Sequence, residues 1–159
     1  MRTIILSVLM LAACAQPATP ASGDIPVAKP PTTTTTTTLS PAAAQIRADL
    51  ARLDGALRAP GIVAAGLNET ADLGSGLTVR PLSVIEDSRC PADVECVWAG
   101  RLRLRANVSG QDLEMTLGEP TQTAHGAVTL AVAKPAPFAH WPTEEIGPPP
   151  AYRFGFQRS

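Results

Sequence analysis

The sequence predicts a mainly β chain: a small antiparallel β-sandwich or barrel of about five or more short strands, preceded by one amphipathic helix and a disordered linker. Three observations predict it. Residues 101–117 hold two runs of strict apolar–polar alternation separated by Ser109-Gly110. Residues 41–59 carry one apolar stripe at helical spacing. Residues 14–40 are dominated by Pro, Ala, Thr and Ser, with too few apolar residues to build a core.

The chain opens MRTIILSVLMLAACAQ. Arg2 supplies a positive start and Ile4 to Leu11 a short apolar run, followed by small residues. The run is far short of the roughly 20 residues that a spanning helix needs, so residues 1–13 read as a signal peptide. Leu11-Ala12-Ala13-Cys14 resembles the lipobox of bacterial lipoproteins. That resemblance implies acylation of Cys14 (a palmitate-type anchor), with Cys14 as the first mature residue. Ala15 follows where an acidic residue would imply retention at the inner membrane. The expected location is therefore the cell envelope, lipid-anchored in the outer membrane and facing the periplasm. The expected partners are the membrane, through the anchor, and an envelope protein of unknown identity. Removal of residues 1–13 leaves 12 basic against 14 acidic residues, a formal charge of -2. No basic stripe favours nucleic acid.

The tether at 14–40 contains the run Thr32–Thr38, which reads as a plain spacer, with O-linked sugar as the competing reading. Ser40-Pro41 has the chemistry of a helix start. Ile46, Leu50, Leu53 and Leu57 then form one face, and Ala59-Pro60-Gly61 ends it. Docking on the following domain is the preferred use of that face, with self-association the alternative.

The β domain is expected over 66–159. Gly74-Ser75-Gly76 is a turn, and Leu77, Val79, Leu82, Val84 and Ile85 mark a strand broken at Pro81. Leu102, Leu104, Ala106 and Val108 alternate with Arg101, Arg103, Arg105 and Asn107. Leu113, Met115 and Leu117 alternate with Asp112, Glu114 and Thr116, so a hairpin would set acids opposite arginines. Val128, Leu130 and Val132 make another strand, and Tyr152, Phe154 and Phe156 the last. Between them KPAPFAHWPTEEIGPPP is too proline-rich for a regular element and reads as a long loop.

The remaining signal is RCPADVECVWAG, which concentrates two of three cysteines and one of two tryptophans. With Cys14 lipidated, Cys90 and Cys96 remain as an even pair in an oxidising compartment. A metal knuckle would place its cysteines about two to four residues apart and need two further ligands. Only His125 and His140 are on offer, on separate segments. A redox dithiol favours a closer pair at a helix start. A structural disulfide is the expectation, with Trp98 covering it. Asp87, Arg89 and Trp98 form a candidate contact loop beside the bridge.

Glu86 to Arg101, EDSRCPADVECVWAGR, resembles the "DSRCP…CVWAG" signature of small uncharacterised bacterial lipoproteins and exported proteins. The resemblance extends loosely from about Gly66 to Phe156. It implies export, compactness and a shared fold, and no reaction. No nucleophile elbow, phosphate loop or metal-binding helix motif is present in the sequence. Glu86 and Asp87, adjacent on a strand, would point to opposite faces and could not form a catalytic pair there. The expectation is a non-enzymatic, cofactor-free domain with a binding or envelope-support role. The alternative is an inhibitor or chaperone-like module using the disulfide loop as its contact surface.

Overall fold

The computed structural model describes residues 38–159. The expected signal peptide, Cys14 and nearly all of the tether lie outside the described residues. Among them run a helix α1 (Pro41–Leu57), strands β1 (Ile62–Gly66), β2 (Ala71–Asp72), β3 (Thr78–Asp87), β4 (Leu102–Val108), β5 (Gln111–Thr116), β6 (Pro120–Thr123) and β7 (Gly126–Lys134), a one-turn helix α2 (Thr143–Ile146) and strand β8 (Arg153–Arg158).

The strands form two four-stranded sheets, β1-β8-β7-β6 and β2-β3-β4-β5, with every pairing antiparallel. Apart from the β1–β8 pair, paired neighbours are consecutive in sequence. This is an up-and-down meander in which β8 returns to β1. Its hydrogen bonding lapses between β1 and β2 and between β5 and β6. Such a barrel of eight strands has an interior just wide enough for side chains to fill. Leu77, Val79, Leu102, Leu104, Met115, Val128, Leu130, Phe154 and Phe156 fill it, all buried in one cluster.

The β4–β5 hairpin shows how the sequence sets the register. Leu104 pairs with Met115 and Ala106 with Leu113, around Ser109 and Gly110, which both have positive φ. A slip of one residue would turn the apolar set to solvent. On the outer face Arg103 reaches Glu114, and Asn107 donates to Asp112 at 2.7 Å.

α1 lies on the outer face of the β1-β8-β7-β6 sheet. Ser40 caps it, its Oγ accepting the Ala43 N–H at 3.2 Å. Ala43, Ile46 and Leu57 are buried, with Leu50 and Leu53 half-buried, so the stripe is used for docking. Gly155 makes the close approach possible. A Cβ there would stand 2.8 Å from Ile62 Cγ2, 3.1 Å from Val132 Cβ and 3.2 Å from Leu57 Cδ2. Lys134 Nζ, largely shielded from solvent, adds an ion pair to Asp54 Oδ1 at 2.5 Å.

Four features differ from the sequence expectation, each for a physical reason. The helix stops at Leu57, with Arg58 as its C-cap, two residues before the expected end. The β domain begins at Ile62 rather than 66. β1 reads IVAAG without alternation because α1 covers one face and the core the other. β3 continues through Pro81, with register shifts beyond it, and the Pro81 carbonyl accepts the Asn68 N–H at 2.7 Å. The long 135–152 connection contains α2, whose Glu145 accepts the Ser40 N–H at 2.8 Å.

Replacing Gly155 by Ala is expected to overpack the α1 contact and lower stability by about 1–3 kcal/mol, read in a denaturant melt. Lys134→Met in the same background should leave most of that loss in place, because the loss is steric.

Candidate functional site

A meander places alternate connections at the same end of the barrel. The short turns at 73–77, 109–110 and 124–125 share one end. There Arg158 donates to the Gly74 carbonyl at 2.8 Å and the His125 carbonyl at 2.5 Å, and Ser109 Oγ donates to the Gly76 carbonyl at 2.9 Å. The two long connections, 88–101 and 135–152, share the other end and are bolted together.

Arg89 is the centre of that junction. Its guanidinium holds Asp87 bidentately, Nε to Oδ1 at 2.8 Å and Nη2 to Oδ2 at 2.7 Å. The same group donates to the Ala133 carbonyl at 3.0 Å and the Pro135 carbonyl at 2.8 Å. Tyr152 Oη donates to Asp87 Oδ2 at 2.7 Å, and its ring stacks on Phe154 at 5.6 Å. The Arg89 and Asp87 side chains are 15% and 12% exposed, so this pair belongs to the barrel end and not to its surface. Burial pushes the Asp87 carboxyl up, but Arg89 and Tyr152 more than offset it and hold it below the usual carboxylate value. Burial, then Asp87, pushes the Tyr152 hydroxyl up.

A second bracket lies nearer the loop tip. Asp93 accepts the Ala139 N–H at 2.7 Å and the His140 N–H at 3.0 Å, and the Ala92 N–H meets the Pro137 carbonyl at 2.9 Å. The backbone bond to Ala139, above all, holds the Asp93 carboxyl below its usual value. Phe138 meets Trp141 edge-on at 5.8 Å, and Trp141 Nε1 donates to the Gly147 carbonyl at 2.6 Å.

The disulfide loop is closed at its base and open at its tip. Ser88 N–H meets the Arg101 carbonyl at 2.8 Å, and Cys90 N–H meets the Ala99 carbonyl at 3.0 Å. Gly100 has φ +64°, and a Cβ there would lie 1.7 Å from the Ser88 carbonyl oxygen, so only glycine lets the two arms close. Cys90 and Cys96 are joined, with Cα atoms 5.9 Å apart. Every residue from Ala92 to Gly100 is exposed. Val97 is 93% and Trp98 78% exposed, with Val94 beside them at 44%.

The three residues of the expected contact loop therefore part company. Asp87 and Arg89 are spent inside the barrel end, and Trp98 stands in solvent rather than over the disulfide. The shielded groups nearest the bridge, Arg89 and Asp87, are charged and already paired with each other. Sequence reasoning placed Asp93 only as a charge around the disulfide and Tyr152 only in the last strand, and gave Val94 and Val97 no role. Only Val97 had a local signal, as the neighbour of an aromatic in a loop without alternation.

Glu86 and Asp87 do point to different surroundings. Glu86 takes Arg101 Nε at 3.0 Å, Arg103 Nη1 at 3.5 Å and Ser88 Oγ at 2.9 Å. Arg101, then Ser88, holds its carboxyl below the usual value, which makes it a poor base for the Ser88 hydroxyl. His140 Nδ1 lies 3.7 Å from Asp93, but no group of three metal-ligating side chains occurs among the described residues. What the arrangement offers is a rigid presentation of apolar side chains.

Two outcomes follow for this end of the molecule. Asp87→Asn should cost about 2–3 kcal/mol at neutral pH, because it leaves a shielded guanidinium without its counter-charge. The folded carboxyl titrates below the unfolded one, so its contribution is present above about pH 4 and is lost as pH falls through the lowered folded value. Melts against pH should show the wild type and Asp87→Asn converging in acid. Reduction of the disulfide should cost about 2 kcal/mol, a drop of about 10 °C in Tm, and leave the far-UV spectrum folded, because the loop lies outside the core. Comparison with family models, with curated proteins and with solved structures found no match to the chain.

Proposed function

We propose that the protein is a lipid-anchored extracytoplasmic β domain of the bacterial cell envelope whose contact surface is the disulfide loop. The observation that carries the reading is the exposure of Val97 and Trp98 on a loop held by its disulfide, its closed base and the Asp93 bracket. Apolar side chains held rigidly in water lose little further entropy when they bind, which favours recognition. The anchor rests on Leu11-Ala12-Ala13-Cys14 following the apolar run. No helix among the described residues is long and apolar enough to cross a membrane. Mature residues before Ser40 then act as the tether, and the bolted end of the barrel carries the contact.

Two measurements test the reading together. Cells fed a fatty-acid analogue should label the wild type and not Cys14→Ser; label persisting in that variant refutes the anchor. A photo-cross-linking residue at position 98 should give adducts with an envelope component, and one at position 105, on the outer sheet face, should not. Equal yields from both positions refute the loop as contact surface. A single protease or lysozyme as the adduct would make an inhibitor the better description.

A further inference from the structure

We propose that the disulfide loop docks on a lipid surface, with Val97 and Trp98 entering the neutral headgroup region of the membrane that holds the anchor. This rests on the contact-loop and anchor readings above and names what the loop meets.

Four observations point to lipid. First, the apolar side chains stand on a convex loop, and every residue from Ala92 to Gly100 is exposed. Second, the surface is small. Val94, Val97 and Trp98 expose on the order of 400 Å² together, about half of the roughly 800 Å² that one partner buries in a stable protein interface. A fluid headgroup layer needs no complementary cleft, and tryptophan is enriched there.

Third, the chain leaves the domain beside the loop. Pro41, Ala42 and Gln45 at the start of α1 line a groove of about 550 Å³ whose other side is Ala92, Asp93, Val94 and Glu95. Thr38 lies 24 residues after Cys14. A chain of that length spans at most about 85 Å, so an anchor at Cys14 keeps the loop near the membrane and raises its effective concentration there. Weak insertion is then sufficient.

Fourth, the tip of the loop, Ala92 to Gly100, carries no cation to offer an anionic lipid. Arg89 is turned inward onto Asp87, and Arg101 at the base is paired with Glu86. Asp93 is spent on backbone N–H groups, and Glu95 is exposed at the tip. Docking is thus driven by apolar insertion and is expected to be insensitive to salt and not strengthened by anionic lipid.

The test uses the full mature chain purified from membranes and reconstituted in phosphatidylcholine–phosphatidylethanolamine vesicles with brominated acyl chains. The chain has two tryptophans, at 98 and 141, so the Trp98 signal is the difference between wild type and Trp98→Phe. Both this change and Val97→Asp fall on exposed positions and leave the core untouched. The expected result is quenching and a blue shift of the Trp98 emission, lost in Trp98→Phe and reduced in Val97→Asp. Vesicle-bound protein whose Trp98 emission matches that in buffer overturns the proposal and leaves the anchor standing. If the wild type is not retained by vesicles, the anchor reading fails. The loop is then judged by titrating the same chain with vesicles to millimolar lipid: Trp98 quenching upholds it and no quenching overturns it. Trp98 emission that shifts with envelope extract and not with vesicles also overturns it, in favour of a protein partner.

Discussion

The bidentate grip of Arg89 on Asp87 is the interaction on which one whole end of this molecule depends. Two long connections meet there, and neither holds a fully buried side chain of its own among residues 88–101 and 135–152. Arg89 supplies what they lack. Its fork matches the Asp87 carboxylate, and its remaining N–H groups reach the Ala133 and Pro135 carbonyls. Lysine could not replace it, because a point charge satisfies neither the fork nor the carbonyls together. Tyr152 completes the carboxylate's shell and, by stacking on Phe154, joins the charged cluster to the barrel interior. The ion pair therefore acts as a joint between the hydrophobic core and the loops above it.

That joint inverts the ordinary placement of side chains. Near the disulfide Asp87 and Arg89 are shielded while Val97 and Trp98 are exposed. The shielded charges are acceptable because they are paired, and no buried side-chain nitrogen or oxygen among the described residues lacks a hydrogen-bond partner. The exposed Val97 and Trp98 have no such compensation within the fold. They remain outside because the disulfide, Gly100 and the Asp93 bracket hold the backbone in a path that cannot fold them inward. Removing any of these restraints would let the loop collapse onto nearby apolar surface, so the restraints preserve the exposure as much as they add stability.

Legibility from sequence tracked locality. The β4–β5 hairpin could be read to the residue, since Leu104 opposite Met115 follows from alternation around one turn. The Cys90–Cys96 bond was equally legible from short spacing and the odd cysteine count. β1 was not, because a strand covered on both faces loses its period. β6, PTQT, was not, because a short edge strand beginning with proline carries no apolar signature. At the candidate site Asp87 and Arg89 were singled out as contact residues with Trp98, whereas they bind each other, and their partner Tyr152 lies 65 residues from Asp87. The Asp93 bracket spans 46 residues and uses backbone N–H groups, which every sequence contains. The expectation for Trp98 failed on burial: spacing places a tryptophan near a disulfide, but what lies beneath it is decided by the other end of the chain.

The two ends of the barrel are built by different rules, and the difference bears on where function can reside. At the far end the turns are short, and glycines and Ser75 at positive φ hold them with few side chains spare. At the near end the connections are long, and their conformation is set by tertiary brackets rather than by turn chemistry. The N-terminal segment arrives there too, with Ser40 tied to Glu145 of α2 and capping α1 in the same turn of chain. α1 then runs along the sheet and delivers the chain to β1 at the opposite end. The helix thus sets the polarity of the folded residues: by occupying the outer face over Gly155, it brings Ser40 to the end that carries the exposed loop. A chain entering β1 directly would begin among the tight turns, away from the only strongly exposed apolar pair among the described residues.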